Sequence, residues 1–301
     1  MRRLNIGWLF LFLFFVASSV CRPGGPTGVV LLHGKNGSPS SPSVADLAGQ
    51  LRRADFLVTI PEMPYSRGRQ YDKTYEETTT EVDASVDELK KRGAERIVIA
   101  GHSLGANVAL YYAARKSVDA VVAMAPGHTP EREAMQRRLG SDVEKARAMI
   151  EKGQGDKQSV FDDVNQGRAS TVKTTPLVYL SWFDPDGAAV MPKNTANLKP
   201  GTALLWVVGT KDPLFGQGAS YAFDKAPPDP RNKYLVVEAD HFNTPRSAAS
   251  GIITCSLPIP PGRPLSSKGR IGDNRASCPV RIGLTNPEEK TQERPCISSN
   301  A

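Results

Sequence analysis

Ile97-Val98-Ile99-Ala100-Gly101-His102-Ser103-Leu104-Gly105 carries an apolar strand pattern directly into Gly-His-Ser-Leu-Gly. The residues that follow, Ala106-Asn107-Val108-Ala109-Leu110-Tyr111, favour a helix. One serine therefore sits where a buried strand ends and a helix begins, which exposes its hydroxyl at the edge of a sheet. A strained corner of that kind needs almost no side chain two residues before and two residues after the serine. Gly101 and Gly105 supply that space, and Ser103 is read as a nucleophile.

Outward from this corner, residues 28–250 alternate short apolar runs with longer stretches of helical spacing. That alternation predicts an α/β fold with a doubly wound, mostly parallel sheet. Strands are expected at 29–32, 56–60, 97–100, 120–124, 203–208 and 233–238, with helices at 43–53, 74–92 and 106–116. Between His128 and about Lys173 the alternation lapses. Thr129-Pro130-Glu131 reads as a helix start and 141–152 as a second helix, which form either a small helical cap over the active site or an ordinary pair of surface helices. Pro176-Leu177-Val178-Tyr179-Leu180 reads as a short strand or as the return from the cap. The helical pattern that begins at Thr244 breaks off after about three turns. Residues 255–301, with seven prolines and few aliphatic residues, read as a disordered tail outside the fold, an extended end in place of that helix's last turns.

The N-terminus reads as a secretory signal over residues 1–20. Met1-Arg2-Arg3 is a basic start, Ile6 to Ala17 an apolar run, and Ala17-Ser18-Ser19 the small residues of a cleavage site. An exported protein, periplasmic or secreted, is expected. Membrane attachment would require the segment to stay uncleaved or Cys21 to be lipidated. The net charge of +7 lies largely at the ends, because residues 20–254 hold 29 basic and 27 acidic side chains. No basic stripe suits nucleic acid. The four cysteines, Cys21, Cys255, Cys278 and Cys296, have no metal-ligand spacing.

A serine hydroxyl needs a base, and the base an orienting acid. The chain has four histidines: His33, His102, His128 and His241. Only His241, in Glu238-Ala239-Asp240-His241-Phe242, follows a late strand on the edge that carries Ser103, so it is assigned as the base, with His128 its competitor. The acid is expected from Gly209-Thr210-Lys211-Asp212-Pro213, hence Asp212, with Asp184 and Asp186 as rivals. Asp240 shares the local chain of His241 and would point elsewhere. An oxyanion needs preorganised donors. The Leu104 N–H at the start of the nucleophile helix is one. The other is the Lys35 N–H in His33-Gly34-Lys35-Asn36-Gly37, where Gly34 lets the backbone turn inward.

Taken together, the His33–Gly37 loop, the corner at 101–105, Asp212 in Gly-x-x-Asp-Pro and His241 in Ala-Asp-His-Phe resemble the α/β-hydrolase superfamily over roughly 28–254. The likeness is to its esterase, lipase and serine-aminopeptidase-like members. It implies an eight-stranded, mostly parallel sheet, no metal or other cofactor, and acyl-enzyme chemistry on a small-molecule acyl substrate. Hydrolysis of an ester, or of a thioester or amide, is the expectation. Acyl transfer by the same three residues and a non-catalytic binding role are the alternatives.

Overall fold

The computed structural model describes residues 25–255. The expected signal at 1–20, Cys21 and the tail beyond Cys255 lie outside the described residues. The chain begins with β1 (Thr27–Leu32), α1 (Pro42–Arg53), β2 (Leu57–Thr59), α2 (Thr78–Lys91) and β3 (Arg96–His102). Next come α3 (Leu104–Ala113), β4 (Ala120–Met124), α4 (Glu133–Glu151) and the strands β5 (Ser159–Asn165) and β6 (Arg168–Thr174). It closes with α5 (Pro176–Phe183), α6 (Met191–Ala196), β7 (Ala203–Gly209), β8 (Lys233–Val237) and α7 (Thr244–Cys255).

Six strands form one parallel sheet in the order β2-β1-β3-β4-β7-β8. The apolar runs are continuous because the inner strands are covered on both faces. Val29 and Leu31, Val98 and Ala100, and Leu205 and Val207 point to the side packed by α1 and α7. Val30 and Leu32, Ile97 and Ile99, and Leu204 and Trp206 point to the opposite core, which α2 and α3 complete. The period of two within each run thus feeds two hydrophobic layers. In α1 the residues at helical spacing, Val44, Leu47, Ala48 and Leu51, are buried. Helix α3 is buried along its whole length, which explains its apolar composition.

Among the described residues the sheet has six strands rather than the expected eight. β5 and β6 pair with each other as a separate antiparallel hairpin. The run at 176–180 is helical: Pro176 stands at the first helical position and the Thr175 side chain accepts from the Val178 N–H at 3.3 Å. A short apolar run does not distinguish a buried strand from a buried helix. The two helices expected between 128 and 173 are one helix and the hairpin. α4 continues through Gly140-Ser141 because Leu139, Val143 and Ala146 make one buried stripe. The hairpin turns on Gln166 and Gly167, both at positive φ (48° and 77°), between the paired residues Asn165 and Arg168. Positive φ at both central positions is the backbone of a two-residue primed turn. Among the described residues, no helix is long and apolar enough to cross a membrane.

The register positions the site. Leu32 pairs with Gly101, His102 with Met124, Met124 with Val207 and Gly209 with Val237. Parallel strands that end together place their following loops side by side on one edge.

Candidate active site

Ser103 has φ 56° and ψ −122°, a conformation that a non-glycine residue holds only when its surroundings force it. The forcing groups are backbone. A Cβ on Gly101 would lie 2.1 Å from the Gly105 carbonyl oxygen, and one on Gly105 2.5 Å from that of His33. Both glycines are therefore required by close approach. Gly105 is what lets the β1 loop pack against the start of α3.

Loops from β7 and β8 bring in the other two residues. A Cβ on Gly209 would meet the Ala239 carbonyl oxygen at 2.3 Å, and the Lys211 N–H donates to that same oxygen at 3.0 Å. The two loops are thereby held together. Asp212 Oδ2 accepts from His241 Nδ1–H at 2.6 Å, and Asp212 Oδ1 accepts from the Leu214 N–H at 2.7 Å. With its Nδ1 proton so placed, His241 keeps a lone pair on Nε2, which lies 2.9 Å from Ser103 Oγ. The side chains of His241 and Asp212 are only 6% and 1% exposed. Ser103, His241 and Asp212 thus form one continuous hydrogen-bonded chain.

The rival acids lie elsewhere. Asp184 pairs with Arg147 at 2.8 Å, Asp186 is an exposed partner of Lys193, and Asp240 accepts from the Asn243 N–H. The other histidines have supporting positions. His102 donates through Nε2 to the His241 carbonyl at 2.9 Å and so holds the main chain of His241. Burial, and then the neighbouring His241, lower its pKa to about 4, so it stays neutral. His128, at φ 66°, donates through Nε2 to the Trp182 carbonyl at 2.7 Å. Burial, with the Lys35 charge second, lowers its pKa to about 3. His33 donates through Nδ1 to the Gly34 carbonyl and accepts the Met63 N–H on Nε2, and burial lowers its pKa as well.

Lys35 and Leu104 both line the cleft beside Ser103. Leu104 begins α3, so its N–H has no carbonyl one turn behind it. The Lys35 N–H donates to no acceptor among the described residues. The Lys35 loop turns tightly, with the Gly37 N–H donating to the Gly34 carbonyl and Asn36 at φ 56°. A Cβ on Gly34 would stand 3.2 Å from Ser103 Cβ, so this loop packs against Ser103.

Several residues of the site gave little sign of themselves in the sequence. The Lys35 side chain is buried and pairs with Asp163 of β5 at 2.6 Å, both about as hidden as core residues (4% and 3%). Asn107 Nδ2 donates to the carbonyls of His128 and Ala189 at 2.7 and 2.8 Å, and its Oδ1 accepts the Tyr75 hydroxyl at 2.8 Å. A lone amide in an all-apolar helix was the available signal. Gly127 approaches so closely that its Cβ would lie 3.0 Å from Ser103 Oγ. Tyr65, Tyr71 and Tyr75 are buried in the core, where they meet Trp182 edge-on rather than lining the cleft.

The cleft at this edge has a volume of about 440 Å³, within the usual range for a small-molecule site. Its walls combine the loops after β1, β3, β4, β7 and β8 with the first turns of α4 and the tip of the β5–β6 hairpin. Among the described residues, no group of three or more His, Cys, Asp or Glu side chains could hold a metal ion.

The fold is similar to solved structures of low sequence identity. The Paleococcus ferrophilus monoacylglycerol lipase aligns with TM-score 0.55 at 19% identity, over 78% of this chain and 97% of that one. A structure from work on the metagenome-derived lipolytic enzymes LipS and LipT gives 0.52 at 15%, over 77% and 91%. Est1E from Butyrivibrio proteoclasticus, bound to ferulic acid, gives 0.51 at 17%, over 76% and 86%. No curated protein matches the sequence. The model of the alpha/beta hydrolase family matches residues 29–249, nearly the whole described body, and the chain belongs to the alpha/beta hydrolase family.

Proposed function

We propose that this protein is a serine hydrolase that cleaves a carboxylic ester through an acyl-enzyme on Ser103. The carrying observation is the unbroken chain from Ser103 Oγ to His241 at 2.9 Å and from His241 to Asp212 at 2.6 Å, opening on the cleft. Ser103 Oγ attacks the acyl carbonyl while His241 Nε2 takes its proton. Asp212 holds the imidazole in the tautomer that can accept that proton and stabilises the imidazolium. The N–H groups of Leu104 and Lys35 stabilise the tetrahedral oxyanion. His241 returns the proton to the departing alcohol, and water then repeats the sequence on the acyl-enzyme. Similarity to a monoacylglycerol lipase and to lipolytic enzymes supports ester chemistry. The N-terminal pattern supports an exported protein, with cleavage after residue 19 or 20 read by N-terminal sequencing of the mature chain.

A fluorophosphonate probe tests the nucleophile. The wild-type protein should label, Ser103→Ala should not, and equal labelling of the two would sink the assignment. With p-nitrophenyl acetate, Asp212→Asn should lower kcat by roughly 10³–10⁴-fold, as expected when the base is left in the wrong tautomer. Asp184→Asn should leave the rate near wild type. The reverse pattern would move the acid to Asp184.

A further inference from the structure

The cleft has an unbalanced charge. Its acidic lining residue is Asp212, whose two oxygens are occupied by His241 and the Leu214 N–H. Three cations line it: Lys35, Arg132 and Arg138. The Lys35 charge is matched by Asp163 at 2.6 Å. Arg132 and Arg138 have no carboxylate within ion-pair distance among the described residues. The same helix shows the contrast, since Arg137 pairs with Glu133 and Arg147 with Glu144 and Asp184. Arg132 is flanked in sequence by Glu131, which feels the Arg132 charge but accepts its hydrogen bond from the Tyr221 hydroxyl, and by Glu133, which pairs with Arg137. Arg132 stands over the Tyr221 ring at 6.0 Å, and Arg138 Nη1 donates to the Gly167 carbonyl at the hairpin tip at 3.1 Å. That single bond leaves most of the Arg138 donor fork free. Leu104, Met135, Val164 and Leu214 add apolar wall, and Thr129, Asn165 and Gln166 add uncharged polar groups.

We propose that this cleft selects esters that carry a second, free carboxylate, which Arg132 and Arg138 receive at the cleft wall while Ser103 meets the ester carbonyl. The inference rests on the hydrolase reading and specifies its substrate class. A guanidinium fork matches a carboxylate in a planar, charge-assisted arrangement, so two of them lining one cleft favour an anion over a neutral ester of equal size. Arg132 is half-buried and Arg138 exposed, so the preference is salt-sensitive.

The test compares kcat/KM for monomethyl glutarate and dimethyl glutarate, which differ by one methyl group, in a pH-stat at low salt. Acetoxyacetate against propyl acetate places the charge in the alcohol part, so the two pairs distinguish the sides of the ester. The wild type should favour at least one charged ester by about tenfold or more. That ratio should fall towards one in Arg132→Gln/Arg138→Gln and in 0.5 M salt. Arg137→Gln, on the same helix but paired with Glu133, should keep it. Ratios near one in the wild type, or unchanged ratios in the double variant, overturn the proposal while leaving the hydrolase reading intact. Calorimetric titration of monomethyl glutarate and acetoxyacetate into Ser103→Ala reads recognition without turnover. Binding of either that the two glutamines abolish establishes the carboxylate site even if no ester is cleaved, in which case the hydrolase reading is what fails. Absence of binding by both counts against the proposal.

Discussion

At the strand ends a Cβ on Gly105 would strike the backbone at 2.5 Å, whereas a Cβ on Gly140, midway along α4, would meet nothing within 4 Å. The two regions wall the same cleft on different principles. The edge that carries Ser103, Asp212 and His241 is fixed by backbone close approaches, a strained serine and neutral buried histidines. The segment 129–174 is an amphipathic helix and a hairpin, rich in charge, tied to the edge by Lys35–Asp163. The difference teaches that the sheet edge fixes the Ser103–His241–Asp212 geometry through backbone contacts, while the cations of the cleft come from a segment that leaves room for a methyl group at Gly140.

The strongest way to break that contrast is to cut the tie. Lys35→Met leaves Asp163 charged, buried and without its cation, and should cost about 4 kcal/mol in urea denaturation. Lys35→Met/Asp163→Leu should recover most of the loss, because an apolar pair replaces an orphaned charge. A loss under about 1 kcal/mol in the single variant would mean that the pair is not a structural link. Gly105→Ala comes next. Its new methyl must displace the His33 and Leu32 backbone, and a destabilisation of about 3 kcal/mol is expected, with loss of Ser103 labelling by the fluorophosphonate. An unchanged melting temperature would show that the corner is softer than its contacts imply.

Acid should separate the regions further. His102 and His128 stay neutral in the fold down to about pH 4 and 3, while in the unfolded chain they take up protons near the ordinary value of 6.5. The unfolded state therefore binds more protons below 6.5, and stability falls as pH drops through that window. Each contributes a loss of about 2 kcal/mol between pH 7 and pH 5. His102→Gln should flatten the stability–pH slope by one histidine's share, and an unaltered slope would remove it from the account. The smallest effect sharpens the other side. Gly140→Ala should raise stability by about 1 kcal/mol, since helix interiors favour alanine and the added methyl meets no obstacle. Destabilisation by thermal melting would show that α4 is packed more tightly there than its contacts indicate.

Legibility followed the same division. The sheet strands were readable because two-sided burial makes each inner one a plain apolar run, as at 29–32, 120–124 and 203–208. The corner at 101–105 was readable because close backbone contact admits only glycine at two fixed places. His241 and Asp212 were found by elimination, four histidines against one favoured sheet edge. The hairpin at 159–174 was missed: its strands alternate with charged residues, and its turn is Gln166-Gly167 rather than a stronger hairpin pair. The break expected near Gly140 was overruled by the stripe Leu139, Val143 and Ala146. The role of His102 was hidden in the sequence, because its bond to the His241 carbonyl spans 139 positions of chain.

By itself the sequence determined the fold class, and it singled out Ser103, Asp212 and His241 as the candidate site residues. Those depend on local backbone demands and on burial periodicity, both written in neighbouring residues. Only the tertiary structure decided that Lys35 pairs with Asp163, that Asn107 fastens the loop of His128, and that Arg132 and Arg138 line the cleft with no carboxylate in ion-pair contact among the described residues. Each of these is a pairing across 20 or more positions, or the lack of one, and electrostatic balance at a site is a sum over what the fold brings near.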